Sequence, residues 1–167
     1  MKASILYYSQ TGNTKQAAEM IAEGMSAIDG VEAKTFSIDS VDEAFVKESG
    51  CVVLGTPVVL ASMAAPVKAW LDGQGMTLGL GGKLGGAFAT ANYVQGGADI
   101  AIQSIEGHLM VYGMLVYSGG AALGAPVIHL GPVGIGGELE KTQENFVVYG
   151  QRMASKAKEL FSMSSSK

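Results

Sequence analysis

The sequence predicts an α/β protein in which a parallel sheet is covered by helices on both faces. Five short apolar stretches with the character of strands alternate with segments of helical periodicity. The third stretch, residues 51–55, is apolar at every position, as expected of a central parallel strand buried on both faces. Parallel strands need right-handed crossovers, and the intervening helical segments provide them.

The individual elements are predicted from residue type and spacing. Strands are expected where β-branched, aromatic or alternating residues lie between turn residues, at 5–8, 31–38, 51–55, 84–91 and 114–117. Helices are expected where apolar residues recur every three or four positions, at 12–28, 39–48, 64–71, 99–112 and 139–161. The glycine- and proline-rich segment 118–137 is interpreted as an interrupted continuation of the edge strand through 127–130.

Length and composition limit the possible functions. The 167 residues predict a single domain over 1–161, followed by a polar tail at 162–167. The net charge of −4 and the absence of a Lys/Arg cluster argue against nucleic-acid binding. One cysteine, Cys51, and two histidines are too few for a disulfide scaffold or a metal centre. With no recognisable signal peptide or membrane span, we expect a cytoplasmic protein without membrane partners.

The turn after the first strand carries the clearest functional pattern. Its sequence, SQTGNT, leads directly into a helix, whose free N–H groups and positive dipole end form an anion site. A Walker A loop would require Gly-Lys-Ser/Thr and a dinucleotide fingerprint three spaced glycines, and neither is present. An ordinary capped helix is the simpler alternative. The candidate phosphate ligands are Ser9, Gln10, Thr11, Gly12, Asn13 and Thr14.

This turn resembles the flavodoxin phosphate loop, Ser/Thr-x-Thr-Gly-x-Thr, which holds the phosphate of FMN. Further along, GTP at 55–57, Ser62-Met63 and VKAWLD at 67–72 resemble the GTP…NM…(K/R)xFLD segment of the WrbA family. Those proteins are flavodoxin-fold NAD(P)H:quinone oxidoreductases that bind FMN. The resemblance implies a flavodoxin-like three-layer sandwich with a five-stranded parallel sheet in the order 2-1-3-4-5.

In this strand order a ligand lies at the switch between the first and third strands, where the loops at 9–14, 56–63 and 91–97 converge. The resemblance places 57–60 along one edge of the isoalloxazine and 90–96 along the other edge and the ribityl chain. Tyr93 either stacks on the ring or is a surface residue, and Tyr112 either replaces a family site His or belongs to the core. The implied cofactor contacts are Pro57, Val58, Val59, Leu60, Thr90, Ala91, Asn92, Tyr93, Gly96 and Tyr112.

Two departures from the WrbA pattern concern the reaction itself. Val58-Val59-Leu60-Ala61 replaces the family's Thr-Arg-Phe-Gly, and Val111-Tyr112 replaces its His-His. The Arg, aromatic and His side chains through which the family binds nicotinamide or quinone are therefore absent at these positions.

Three functions remain open. The first is an FMN-dependent oxidoreductase that passes electrons from NAD(P)H to a quinone-like small-molecule acceptor, without an acid or base residue. The second is an electron carrier that serves redox partner proteins, and the third is an interaction module. The apolar loops at 58–63 and 79–84 suggest a homo-oligomer interface.

Overall fold

A parallel sheet forms the middle layer of the structure, a computed structural model that describes residues 1–162. Within this range the strands are Lys2–Tyr7 (β1), Glu32–Ser37 (β2), Ser49–Val59 (β3), Ser62–Met63 (β4), Leu84–Ala91 (β5), Leu115–Val116 (β6) and Val133–Ile135 (β7). The α-helices are Asn13–Ser26 (α1), Glu43–Glu48 (α2), Ala65–Asp72 (α3), Ala98–Val111 (α4) and Gln143–Ser162 (α5).

The strand order is β2-β1-β3-β5-β6, with every neighbouring pair parallel. This order confirms the expected flavodoxin-like α/β fold with its sheet order 2-1-3-4-5. Two short strands extend the sheet beyond the five that were expected. β4 pairs antiparallel with the end of β3, and β7 pairs parallel with the end of β5.

Two hydrophobic cores lie on opposite faces of the sheet. On one face, α1 and α5 pack against β1 and β3 through residues such as Ile21, Phe146 and Tyr149. On the other face, α2, α3 and α4 contribute Val46, Trp70 and Ile105, among others. β5 is buried at all eight positions, and β3 is buried at every position from Cys51 to Thr56. Both faces of these central strands therefore lie in the interior, as their apolar sequences predicted.

Helices α1 and α5 approach each other at two glycines. A Cβ atom on Gly24 would lie 2.0 Å from the Val147 carbonyl oxygen, and one on Gly150 would lie 2.2 Å from the Ile21 carbonyl oxygen. Only glycine leaves room for this backbone-to-backbone contact. The contact fixes the axis of α1, whose first turn follows the predicted phosphate loop.

The segment predicted as a loop at 56–63 is a β-hairpin, because β3 continues to Val59 and returns as β4. Leu60 and Ala61 form the two-residue turn, with φ of 49° and 61°. Type I′ hairpin turns require positive φ at both central residues, and these positions usually hold Asn or Gly. Leucine and alanine give no such signal, and the sequence analysis therefore missed the hairpin.

The edge of the sheet next to β5 is divided between β6 and β7. The predicted continuation at 127–130 is wrong in position, since β7 lies at Val133–Ile135. Within 127–130, Ile128 is buried in the core instead. The Arg152 guanidinium holds the connecting segment by donating hydrogen bonds of 3.1–3.5 Å to the carbonyl oxygens of Gly119, Gly120, Leu123, Gly124, Ala125 and Pro126.

Three further expectations concern the tail, the apolar loops and membrane spans. α5 ends at Ser162, the first residue of the predicted polar tail, and residues 163–167 lie outside the described part. In the loop at 79–84, Leu80 and Leu84 are buried, so this loop presents no large apolar side chain at the surface. Among residues 1–162, no helix is both long and apolar enough to cross a bilayer.

Candidate functional site: a crevice at the carboxyl edge of the sheet

A crevice of about 160 Å³ opens where β1, β3 and β5 end. The three predicted loops converge there, at the switch point of the strand order. Nine predicted site residues line it: Gln10, Thr11, Asn13, Pro57, Val58, Val59, Thr90, Ala91 and Asn92. None of these nine side chains is charged; five are polar and four are apolar.

The floor of the crevice is the loop that leads into α1. Gly12 precedes the helix with a φ of 94°, and a Cβ there would meet nothing within 4 Å, so the backbone conformation is the reason for glycine. The Gly12 amide donates to Ser9 Oγ at 3.2 Å, and Asn13 Nδ2 donates to Thr11 Oγ1 at 3.3 Å. These hydrogen bonds hold the loop in place before any ligand arrives.

The start of α1 has no anion of its own. No side chain caps the helix, and its first turn contains no acidic residue. Helix-start N–H groups without a capping side chain attract an external anion, and the helix dipole adds to that attraction. The arrangement therefore fits a phosphate group without any lysine or arginine.

A buried pair of hydroxyls joins this loop to β5. Thr14 Oγ1 lies 2.8 Å from Thr90 Oγ1, and the two residues are only 1% and 4% exposed. A hydroxyl donates one hydrogen bond and accepts two. When Thr90 donates to Thr14, the Thr14 proton is therefore free for a second acceptor.

The wall of the crevice is the β3–β4 hairpin. The Thr56 hydroxyl ties its two strands by accepting from the Ala64 amide at 3.0 Å and donating to the Pro57 carbonyl at 2.9 Å. The turn rests on the loop after β5, since a Cβ on Gly97 would lie 2.6 Å from Ala61 Cα. Non-glycine residues at positive φ cost about 1–3 kcal/mol each, and this contact helps to hold the turn.

The loop after β5 presents an exposed aromatic beside the crevice. Tyr93 is 76% exposed, and its carbonyl accepts a 3.0 Å hydrogen bond from the Gly96 amide. Tyr93 and Gly96 flank the lining rather than belong to it. The ring of Tyr93 is therefore accessible to a ligand that extends out of the crevice.

Gly136, which the sequence analysis did not assign to the site, closes the crevice beside β7. A Cβ on this residue would lie 2.8 Å from Asn13 Nδ2 and 3.1 Å from Asn92 Oδ1, and its amide donates to the Ala91 carbonyl at 2.8 Å. The only available signal was the GIGG sequence at 134–137, which resembles part of a dinucleotide motif but lacks its context.

Two predicted contacts lie away from the crevice. The Tyr112 hydroxyl donates to the Leu71 carbonyl, in a separate groove between α3 and α4. Burial, assisted by the charge of Asp72, raises the pKa of Tyr112. Leu60, at the tip of the hairpin, also lines that groove and is 97% exposed. The structure therefore does not bring Tyr112 or the Leu60 side chain into the crevice.

Comparison with known proteins agrees with this geometry. A sequence model of the flavodoxin family matches residues 5–96. A flavodoxin of Clostridium saccharobutylicum is 47% identical over 161 residues, which cover 96% of this chain and all of the relative. An NAD(P)H dehydrogenase (quinone) of Syntrophobacter fumaroxidans is 29% identical over 70% of each chain.

The fold agrees with a solved structure as well. A flavodoxin, WrbA-like protein from Agrobacterium tumefaciens superimposes with a TM-score of 0.79 over 95% of this chain and 98% of that one. At 20% identity this likeness concerns the fold alone. The family match and the 47% identity concern most of the sequence. The chain belongs to the flavodoxin family.

Proposed function

We propose that this protein binds FMN in the crevice and carries electrons between redox partner proteins. The observation that supports this most strongly is the uncapped start of α1 beside the buried Thr14–Thr90 pair. It offers amide and hydroxyl donors to a phosphate at the switch point of the sheet. The 47% identical flavodoxin supports the carrier function over the alternatives.

The crevice suits a ligand that is only partly enclosed. Its 160 Å³ is smaller than the about 300–1,000 Å³ of ordinary ligand pockets, so part of the molecule rests outside. Bound FMN supplies one- and two-electron redox chemistry. The protein contributes position: the loop before α1 holds the phosphate, and the Val58–Val59 edge of the hairpin forms an apolar wall. The exposed ring of Tyr93 covers the part of FMN that projects from the crevice.

A second candidate function is oxidation of NAD(P)H with a quinone-like acceptor, which the quinone dehydrogenase relative favours. The residues that line the crevice argue against this second function. They include no lysine or arginine for a second phosphate-bearing cofactor, and Val58–Val59 stands where the WrbA pattern has Thr-Arg. We therefore propose it only as the alternative.

We further propose a cytoplasmic protein with no nucleic-acid or membrane partner. Its thiol, Cys51, is fully buried in β3, and burial raises the pKa of this thiol to about 12. A free thiol that stays protonated is compatible with a reducing compartment and takes no part in the redox reaction.

An anaerobic reduction experiment separates the two functions. The FMN-loaded protein is first mixed with NADH or NADPH and then titrated with dithionite while the flavin absorbance is recorded. The carrier function predicts no bleaching by either nicotinamide and two resolved one-electron steps with dithionite. Rapid bleaching by NADPH followed by reoxidation with benzoquinone would establish the oxidoreductase instead. Absence of FMN binding would contradict both.

A further inference from the structure

Two sides of the crevice touch each other at Ala61 and Gly97. One side is the β3–β4 hairpin and the other is the loop after β5. A Cβ on Gly97 would lie 2.6 Å from Ala61 Cα, 2.7 Å from Ala61 Cβ and 3.0 Å from the Ala61 carbonyl carbon. Since carbon atoms in contact lie about 3.5–4.0 Å apart, only glycine at position 97 permits this approach of the two backbones.

The hairpin needs support at its tip. Leu60 and Ala61 have positive φ, and a non-glycine residue keeps such a conformation only where its surroundings impose it. The Leu60 side chain is 97% exposed and supplies no packing. The Thr56 hydroxyl joins the two strands at the base of the hairpin, through the Ala64 amide. At the tip, the contact with Gly97 provides the support.

Gly97 is itself fixed to a rigid element. It precedes α4 with a φ of 93°, and its carbonyl accepts a 3.1 Å hydrogen bond from the Ala101 amide in the first turn of the helix. Ala101, Ile102 and Ile105 are fully buried in the core and hold α4 against the sheet. The hairpin tip therefore rests on α4 and not on a free loop.

The phosphate loop at 9–14 is held by other contacts. The Gly12 amide donates to Ser9 Oγ within the loop, and the Thr14 hydroxyl joins the loop to Thr90 in β5. These bonds do not involve the hairpin. A shift of the hairpin tip should therefore change the crevice beyond the phosphate and leave the phosphate contacts in place.

We propose that Ala61 and Gly97 are positioning residues, which fix the separation of the two sides of the crevice and thereby set its affinity for the isoalloxazine ring. The proposal rests on the proposed function, because it concerns the same site. Sides that are already fixed need no ordering when the ligand arrives, and such a site binds more tightly for that reason. Alanine at position 97 fits only if the hairpin tip or the loop moves by about 1 Å.

Fluorescence quenching with FMN and with riboflavin tests this role in Gly97→Ala. Both dissociation constants should rise by the same factor, at least about tenfold, so the preference for FMN should stay unchanged. Gly82→Ala is the matched control. Its φ of 80° imposes a similar backbone strain on alanine, but its Cβ would meet nothing within 4 Å. Gly82 also precedes β5, at the edge of the sheet opposite the crevice, so both constants should stay at their native values.

Ala61→Gly separates positioning from stability and decides the question even where Gly97→Ala does not fold. Glycine adopts positive φ readily, so the free energy of unfolding should not fall. Both flavin dissociation constants should nevertheless rise, at least about threefold, because the ligand must then order the turn. A residue with a merely structural role would lose stability and affinity together. Unchanged affinity for both flavins in Ala61→Gly would overturn the proposal.

Hydrogen exchange on the flavin-free protein gives a readout that does not depend on binding. Amides at 58–64 should exchange faster in Gly97→Ala than in Gly82→Ala. Equal exchange in the two variants, equal losses of affinity in both, or a loss for FMN alone would overturn the proposal. A native protein that binds neither flavin would overturn it together with the proposed function. Native binding that Gly97→Ala leaves unchanged would overturn the positioning role alone.

Discussion

Thr14→Val tests the predicted phosphate site at a single hydroxyl. Valine has nearly the shape of threonine, so the substitution removes the donor and leaves the volume at this buried position almost unchanged. In the native protein Thr14 Oγ1 lies 2.8 Å from Thr90 Oγ1, and the residue is 1% exposed. The variant should fold and should bind FMN more weakly than the native protein.

The expected size follows from the charge of the ligand. A hydrogen bond to a charged group contributes about 1.5–3 kcal/mol, and the buried position of Thr14 leaves no water to replace it. Since 1.4 kcal/mol corresponds to a factor of ten, the Kd for FMN should rise about 10- to 150-fold. Thr90→Val removes the partner that orients Thr14 and also changes a residue of the crevice lining, and we expect it to weaken FMN binding by a smaller factor.

The assay compares FMN with riboflavin, which lacks the phosphate. Quenching of flavin fluorescence gives both dissociation constants for each variant. Riboflavin affinity should stay nearly constant, so the preference for FMN should fall with the loss of the hydroxyl. Thr77→Val is the matched control, because Thr77 is exposed and its hydroxyl donates to the Gln74 carbonyl, away from the crevice. Equal losses of FMN and riboflavin affinity in Thr14→Val would refute the reasoning.

Four further substitutions test packing and charge. Gly150→Ala should lower the free energy of unfolding, measured in urea, by about 1–3 kcal/mol because the new Cβ meets the Ile21 carbonyl. Gly107→Ala should raise it by up to about 1 kcal/mol, because the new Cβ meets nothing and alanine favours the helix. Similar effects of the two variants would contradict the close contact between α1 and α5. Arg152→Met removes the hydrogen bonds to six carbonyls. Amide hydrogen exchange in 118–126 should therefore accelerate while α1 stays protected. Unchanged exchange would show that the guanidinium is not needed to hold this segment. Burial raises the pKa of Glu106 from 4.5 to about 7, so the folded chain holds a proton that the unfolded chain releases. Stability should therefore fall as pH rises from about 4.5 to about 7, and Glu106→Gln should weaken this dependence; parallel pH curves for the two proteins would contradict the shift.

The sequence predicts the sheet order and the convergence of the loops well, because both follow from repeated physical patterns. Apolar central strands, helical periodicity and the turn before α1 all indicate the same architecture. The nine residues that line the crevice were all among the predicted contacts. Their role in binding FMN remains a proposal.

The errors have local causes. The hairpin at 56–63 was missed because Leu60 and Ala61 adopt positive φ without the glycine or asparagine that usually announces it. β7 is only three residues long, too short for periodicity to reveal, and its position depends on the free end of β5. For Tyr112 the sequence left two alternatives open, a site residue by family spacing or a core residue, and the structure joins its hydroxyl to the Leu71 carbonyl.

The most direct measurement of the central claim is a pH titration of the protein–FMN complex followed by phosphorus NMR. The dianion of a free phosphate monoester takes up a proton with a pKa of about 6. Helix-start amides and the Thr14 hydroxyl stabilise the dianion, so the bound resonance should stay constant between about pH 5 and about pH 8. A resonance that moves like that of free FMN would place the phosphate in solvent and contradict the assignment of the crevice.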